Sequence, residues 1–222
     1  MPSLSEVEAL CGHVVERDTD AALRLIEDVM RDGVEVEAIY ANLLGASARM
    51  LGEMWERDQL SFIDVTVGLC SLHQILFRLS PDFDPEEPGG ESARRALFAP
   101  TPGESHVFGA LVVARFFSRA GWQTWTEISI GHDMLCDLVR RQRFDLVGLS
   151  ISADRNVDNL ARAIDGMRAA AGRHPLKVLI GGHSVDIDPT LVDRVGADAA
   201  AGDPAAAVEA ASRLVDRTRL YA

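Results

Sequence analysis

Residues 80–92 separate two parts of the chain that have different apolar patterns. The stretch Ser80-Pro-Asp-Phe-Asp-Pro-Glu-Glu-Pro-Gly-Gly-Glu-Ser92 gathers three prolines, two glycines and five acidic residues. Proline and glycine interrupt regular elements, and a run of acids buries no apolar area. The sequence therefore predicts a helical domain at 1–80, a linker at 81–92 and a second domain at 93–222.

Before the predicted linker, apolar residues recur at helical spacing. The pattern predicts four helices, at about residues 4–15, 19–31, 35–54 and 61–79. Asp18-Thr-Asp20 and Asp32-Gly33 mark breaks between the first three. Four consecutive amphipathic helices of this length predict a four-helix bundle.

After the linker, short apolar runs alternate with amphipathic stretches, as in a parallel sheet with crossover helices. The predicted strands lie near 95–99, 123–128, 145–149, 176–180 and 197–200, and the predicted helices near 106–120, 132–142, 156–171, 189–195 and 204–218. Five such units predict a flavodoxin-like (Rossmannoid) five-stranded parallel sheet, in which ligands bind at the carboxyl ends of the strands. The predicted fold class is thus α + α/β.

Composition excludes several classes of protein. The net charge of −12 disfavours direct DNA binding, because nucleic-acid binders concentrate Lys and Arg. Three scattered cysteines without CxxC spacing indicate neither a disulfide framework nor a zinc site. No apolar run reaches the roughly 20 residues of a membrane span. With no export signal at its start, the chain is expected to be cytoplasmic.

The loop predicted after the first strand carries the main candidate for chemistry. It reads Pro100-Thr-Pro-Gly-Glu-Ser-His-Val-Phe-Gly109, with Glu104 two residues before His106. A neutral imidazole coordinates a metal through one nitrogen while the other donates to a carboxylate. Gly109 follows His106 by about one helical turn, which leaves room for a flat ligand. Taken alone, the motif also fits a histidine that caps a helix.

Two further loops are predicted at the same edge of the sheet. Ser150 and Ser152 follow the third strand, and Gly181 with Gly182 follow the fourth. Each pair also has a simpler explanation by itself: Ser152 fits a helix cap, and the two glycines fit a turn. No strand is followed by GxGxxG or GxxxxGK[ST], so the sequence lacks the phosphate cradle of dinucleotide and P-loop sites.

Taken together, these three loops resemble the DxHxxG…SxL…GG pattern of cobalamin-binding domains, in order and spacing over residues 93–222. The resemblance implies that His106 is the lower ligand of cobalt and that Ser150, Gly181 and Gly182 line the slot for the displaced nucleotide tail. A branched side chain at position 182 is then expected to block the tail while the sheet stays folded. Glu104 stands where the family has aspartate, and Ser152 where it has leucine.

The helical half is similar to the cap of the same proteins. The segment Leu51-Gly-Glu-Met-Trp55 resembles the one whose tryptophan covers the upper face of the corrin, so the cofactor is expected between the two halves. A tryptophan in an amphipathic helix is equally often a core residue. Met50 and Met54 are further candidates for this face.

The region after Trp55 points to one group within the family. It lacks the Glu-His pair of methionine synthases and of light-dependent repressors. The run Asp64-Val-Thr-Val-Gly-Leu69 instead resembles the AerR/PpaA antirepressors of photosynthesis genes. This resemblance implies a non-enzymatic, light-responsive regulator that contacts a transcriptional repressor protein and carries adenosylcobalamin or hydroxocobalamin. The alternatives are a corrinoid methyl carrier, a mutase subunit, and a heme sensor on the same scaffold.

Overall fold

The computed structural model describes residues 1–83 and 93–219. The chain divides into two compact units, Met1–Asp84 and Pro85–Ala222. The first unit is helical, and its principal helices are α1 (Leu4–Val15), α2 (Thr19–Arg31), α3 (Val36–Ala38), α4 (Gly45–Glu56) and α5 (Phe62–Arg78). The four predicted helical segments are therefore confirmed. Within the described residues, no helix has the length and apolar character needed to cross a membrane.

Local capping explains where three of these helices begin, α1, α2 and α5. Ser3 and Glu6 form a capping box at the start of α1, and Ser61 and Asp64 form another at the start of α5. Asp18 accepts a hydrogen bond from the backbone N–H of Ala21 and so caps α2. These side chains satisfy N–H groups that have no partner within a helix.

The third predicted helix is not uniform. A π-helical segment, Ile39–Leu44, lies between α3 and α4. Its wider turn brings four side chains into the core together: Ile39, Tyr40, Leu43 and Leu44. The Tyr40 hydroxyl donates to the carbonyl oxygen of Leu76 at 3.0 Å. Burial and this hydrogen bond offset the weaker backbone geometry of a π turn, which apolar periodicity alone does not reveal.

The prediction that the linker begins at residue 81 was wrong. Residues Ser80–Phe83 form the short helix α6, and Phe83 is fully buried against Tyr40, with ring centroids 4.1 Å apart. A single aromatic side chain that finds a stacking partner outweighs the helix-breaking composition around it. Residues 84–92 of the predicted linker lie outside the described residues.

The second unit contains the predicted parallel sheet. Its strands are β1 (Arg95–Pro100), β2 (Gln123–Thr126), β3 (Leu146–Ser150), β4 (Lys177–Gly181) and β5 (Ala199–Ala201). The order β2-β1-β3-β4-β5, with every pair parallel, is the flavodoxin-like order.

Helices cover both faces of this sheet. They are α7 (Phe108–Arg119), α8 (His132–Gln142), α9 (Val157–Ala171), α10 (His183–Ile187), α11 (Leu191–Val195) and α12 (Pro204–Arg219). The core on one face is filled from α8, α9, α10 and α11, and the core on the other from α7 and α12. Helix α10 was not predicted, because its five residues are too few to show a period.

Candidate functional site

The carboxyl ends of the three central strands lie side by side. Pro100 of β1 pairs with Ser150 of β3, and Ser150 pairs with Gly181 of β4. The backbone N–H of Thr101 donates to the carbonyl oxygen of Ser150 at 2.9 Å. The three loops selected from the sequence therefore begin at one level of the same sheet edge.

His106 and Glu104 form the predicted pair. The Nδ1 atom of His106 lies 2.6 Å from Oε1 of Glu104. The imidazole side chain is 57% exposed, whereas the Glu104 side chain is fully buried. A carboxylate that binds Nδ1 fixes the orientation of the ring and leaves Nε2 as the nitrogen suited to a metal. The imidazole ring is thus fixed at Nδ1 by Glu104, while the side chain as a whole stays accessible to a ligand.

The second oxygen of Glu104 is held by the loop after β3. Oε2 accepts the backbone N–H of Ser152 at 3.0 Å and the amide of Asn156 at 3.2 Å. Burial raises the pKa of this carboxyl, but the hydrogen bonds from His106, Ser152 and Asn156 outweigh it and lower the pKa from 4.5 to about 2. Glu104 is therefore an anion, and it joins the loop after β1 to the loop after β3.

Ser152 contributes through its backbone. The predicted pair of hydroxyls, Ser150 and Ser152, is therefore retained only in part, since the backbone N–H of Ser152 is the group that contacts Glu104. Any residue with a free N–H provides that hydrogen bond, which explains how serine stands where the family has leucine. The Ser150 hydroxyl lies 3.5 Å from the carbonyl oxygen of His106, a long contact.

Asn156 is a site residue that sequence reasoning missed. It is 4% exposed and sits in a single turn of 3-10 helix, Asp154–Asn156. Gly103, with φ +91°, passes so close that a Cβ there would lie 3.3 Å from Oδ1 of Asn156. No motif spacing marks this asparagine. Only the fold shows that it faces Glu104.

Gly109 lies in the first turn of α7, but His106 does not belong to that helix. Helix α7 begins at Phe108, so His106 lies in the preceding loop and the two residues do not share a helical face as predicted. The expectation of an open position still has support, because a Cβ built at Gly109 meets nothing within 4 Å. The irregular loop 104–107 is held in place because Glu104 bonds both to His106 and to the backbone N–H of Ser152 in the loop after β3.

Gly181 and Gly182 are required by the backbone itself. A Cβ at Gly181 would lie 3.0 Å from the carbonyl oxygen of Ala201. Gly182 has φ +106°, and a Cβ there would lie 2.4 Å from the carbonyl oxygen of Ile151. The expectation that a branched side chain at 182 obstructs only a ligand is therefore wrong, since its Cβ would collide with the carbonyl oxygen of Ile151 in the loop after β3 and so would also cost stability.

Trp55 lies in the last turn of α4 in the helical unit. Its side chain is 47% exposed, so it is not the core residue that a tryptophan in an amphipathic helix often is. Met50 and Met54 are partly exposed near it on the same helix.

Two protein-family models match this chain, one in each unit. A model described as a B12 binding domain matches residues 94–212, which include all three loops. The chain belongs to the B12-binding domain family. A second model, also described as a B12 binding domain, matches residues 6–68 of the helical unit. The family membership makes cobalamin the cofactor class of this chain.

A curated relative is encoded in Rhodobacter capsulatus. It is 27% identical over 180 residues, covering 81% of this chain and 93% of the relative. It is described as an uncharacterized 20.5 kDa protein in the bchF-crtJ intergenic region. Its alignment extends over both units of the B12-binding chain.

Solved structures share the fold. A monomethylamine corrinoid protein of Methanosarcina barkeri has a TM-score of 0.76 at 17% identity, over 91% of this chain and 95% of that one. A cobalamin-binding protein of Desulfitobacterium hafniense DCB-2 has a TM-score of 0.51 at 21% identity, over 94% and 98%. The methanol:cobalamin methyltransferase complex of Methanosarcina barkeri has a TM-score of 0.51 at 9% identity, over 97% and 81%.

The residues of the α/β unit fit a cobalamin. A corrin already supplies four nitrogens to cobalt, so the protein needs to add one donor and not a cluster. Among the described residues, no group of three or more His, Cys, Asp or Glu is arranged to hold a metal. A single exposed histidine, fixed by a buried carboxylate beside an open glycine, has the chemistry that this cofactor requires.

Proposed function

We propose that this chain is a light-responsive, cobalamin-binding regulator that contacts a transcriptional repressor and relieves repression, without catalysis of its own. The observation that carries the proposal is the relative encoded between bchF and crtJ, a photosynthesis gene region, which aligns with four fifths of the chain. A negatively charged protein is suited to the basic DNA-binding face of a repressor and not to DNA.

Each residue of the candidate site would have its own role in holding the cofactor. His106 would coordinate cobalt through Nε2, and Glu104 would hold its orientation. Ser150, Gly181 and Gly182 would border the nucleotide tail, and Trp55 would cover the upper face of the corrin. A cobalamin with an upper alkyl group supplies a cobalt–carbon bond that light cleaves. The protein supplies the fixed ligand and a surface that differs between the two states.

The cofactor assignment is tested with two variants. His106→Ala should lose the absorption spectrum of histidine-ligated cobalamin and bind at least tenfold more weakly, because it removes the axial donor. Gly109→Ala should weaken binding while the melting temperature is kept, because the added methyl meets no protein atom within 4 Å. Wild-type spectra and affinities for both variants would remove this loop from the site. The same spectrum separates cobalamin from heme.

The regulatory role is tested with a purified repressor of photosynthesis genes. Purified protein with an alkylcobalamin should relieve the repressor's gel shift by a different amount in the dark and after illumination. A coupling of about 1–3 kcal/mol, typical of allostery, corresponds to a 5- to 150-fold change in affinity. Trp55→Ala should reduce that difference.

A corrinoid methyl carrier is the second candidate, because two of the structural neighbours belong to methylamine and methanol systems. At 17% and 9% identity these likenesses concern the fold and not the activity. Equal repressor affinity in dark and light, together with methyl transfer to a thiol when lysate enzymes are added, would favour the carrier.

A further inference from the structure

A cavity of about 420 Å³ lies between helices α8 and α9 of the α/β unit. Its α9 wall consists of small residues, Gly166, Ala169 and Ala170, and its α8 wall includes His132 and Cys136. None of these residues belongs to the three loops at the carboxyl ends of β1, β3 and β4. The cavity therefore shares no residue with the candidate cofactor site.

His132 and Cys136 are about one helical turn apart and contact each other. A spacing of four residues brings two side chains together on one face of a helix. The Nε2 atom of His132 lies 3.8 Å from Sγ of Cys136. The imidazole is partly buried, and Cys136 is 9% exposed. A nitrogen and a sulfur donor thus meet at one point in the wall of the cavity.

Gly166 of α9 leaves the space that these two side chains occupy. A Cβ at Gly166 would lie 2.7 Å from Cε1 of His132 and 2.8 Å from Sγ of Cys136. Glycine in the interior of a helix is less favourable than alanine. In α9, however, an alanine at this position would collide with both the imidazole and the thiol. The glycine therefore allows α9 to pack closely against the pair.

The pair has the donor chemistry that a zinc ion prefers. Zinc binds imidazole nitrogen at about 2.0–2.1 Å and thiolate sulfur at about 2.3 Å, so a tetrahedral ion holds the two atoms about 3.6 Å apart. The observed separation of 3.8 Å is close to this distance. Two ligands four residues apart on one helix also share a zinc ion in the HExxH motif.

Charge and solvent complete the case for a cation. Burial raises the pKa of the Cys136 thiol, and a bound zinc ion would replace the thiol proton. Asp133 and Asp137 line the same cavity, and Arg140 pairs with Asp137, so that a negative charge remains. In the part of the chain that the structure describes, no group of three or more His, Cys, Asp or Glu surrounds a common point. Water must therefore supply the remaining ligands.

We propose that His132 and Cys136 form a zinc-binding site between α8 and α9. With two protein ligands, its affinity should be well below that of a structural site with four. The absence of CxxC spacing indicated no zinc site, because the second ligand is a histidine on the same helix and not another cysteine. The proposal does not depend on the cofactor or on the regulatory role.

Calorimetric titration of the full chain with Zn²⁺ tests the site. Wild-type protein should bind one ion, and His132→Ala and Cys136→Ser should each weaken binding by at least about tenfold, because loss of a ligand costs no less than loss of a group that orients one. Cys70→Ser, which removes the exposed cysteine, is the matched control and should bind as wild type does. His106→Ala should also keep its zinc affinity. Unchanged affinity in Cys136→Ser, or a loss in His106→Ala that His132→Ala does not share, would overturn the proposal.

Substitution by Co²⁺ shows directly whether sulfur is a ligand. Cys70→Ser protein with one equivalent of Co²⁺ should have a thiolate-to-cobalt charge-transfer band, and a further Cys136→Ser change should abolish it. Gly166→Ala should weaken the band, because its methyl group enters the space of both ligands. Circular dichroism of each variant checks that the fold is kept. A charge-transfer band that persists without Cys136, or no band in the Cys70→Ser protein, would show that the pair does not bind the ion.

Discussion

Four polar groups converge on the carboxylate of Glu104. It accepts from His106, from the backbone N–H groups of Ser105 and Ser152, and from the amide of Asn156. A buried carboxylate is stable only when its lone pairs are satisfied in this way. The sequence identified the pair of Glu104 and His106, but half of the donors come from a loop almost fifty residues away.

This network predicts a pH dependence of stability. The pKa of Glu104 is lowered from 4.5 to about 2 in the folded protein. Its contribution is therefore fully present above pH 4.5 and is lost as the pH falls from 4.5 towards 2. A difference of this size corresponds to about 3 kcal/mol. Urea unfolding between pH 5 and 2 should show a steeper loss of stability for wild type than for Glu104→Gln.

Glu27→Gln, which removes an exposed carboxylate from α2, is the matched control and should follow the wild-type curve. Parallel curves for all three proteins would mean that Glu104 titrates no differently in the folded and unfolded states.

Among the secondary-structure elements, the connection between β4 and α10 has little room for a side chain, because the loop after β3 packs against it. Gly182 caps α10 with φ +106°, and the loop after β3 passes directly over it. The backbone N–H of Ser184 also donates to the carbonyl oxygen of Ile151, at 3.4 Å. The glycine pair therefore joins two loops of the sheet edge, whatever ligand lies beside them.

Gly182→Ala should lower the free energy of unfolding by about 2–3 kcal/mol, because it adds a steric clash to an unfavourable φ. Gly196→Ala is the control. Gly196 has φ +73°, but a Cβ there meets nothing within 4 Å, so the expected loss is only about 1–2 kcal/mol. Equal losses in thermal or urea unfolding would contradict the close contact with Ile151.

At the scale of the whole molecule, charge is the dominant property. A net charge of −12 on 222 residues attracts basic surfaces over a Debye length and repels phosphate backbones. Whatever its state of illumination, the chain should meet a basic partner faster than an acidic one.

Stopped-flow association with the proposed repressor should therefore slow by about tenfold or more between 0.05 and 0.5 M salt, with a smaller change in the dissociation rate. Binding to a DNA fragment, measured at the same salt concentrations, should stay undetectable. An association rate that is independent of salt would contradict electrostatic steering.

The sequence alone predicted the principal helices and all five strands in their order, but not the π-helical segment, α6 or α10. Helical apolar spacing predicted the four helical segments of the first half, and short apolar runs between amphipathic stretches predicted the five parallel strands, because the faces that are buried must be apolar. It also predicted the pair of Glu104 and His106, since the two residues are neighbours in the chain and meet in the same loop.

Contacts between residues far apart in the chain depend on the tertiary fold. Asn156 joins Glu104, the carbonyl oxygen of Ile151 excludes a side chain at Gly182, and Phe83 stacks on Tyr40 across the start of the predicted linker. No apolar periodicity or motif spacing in the sequence marks the residues that make these contacts. Each arises because chain folding brings together residues that are 31 to 52 positions apart, and packing at close range then selects the side chain that fits.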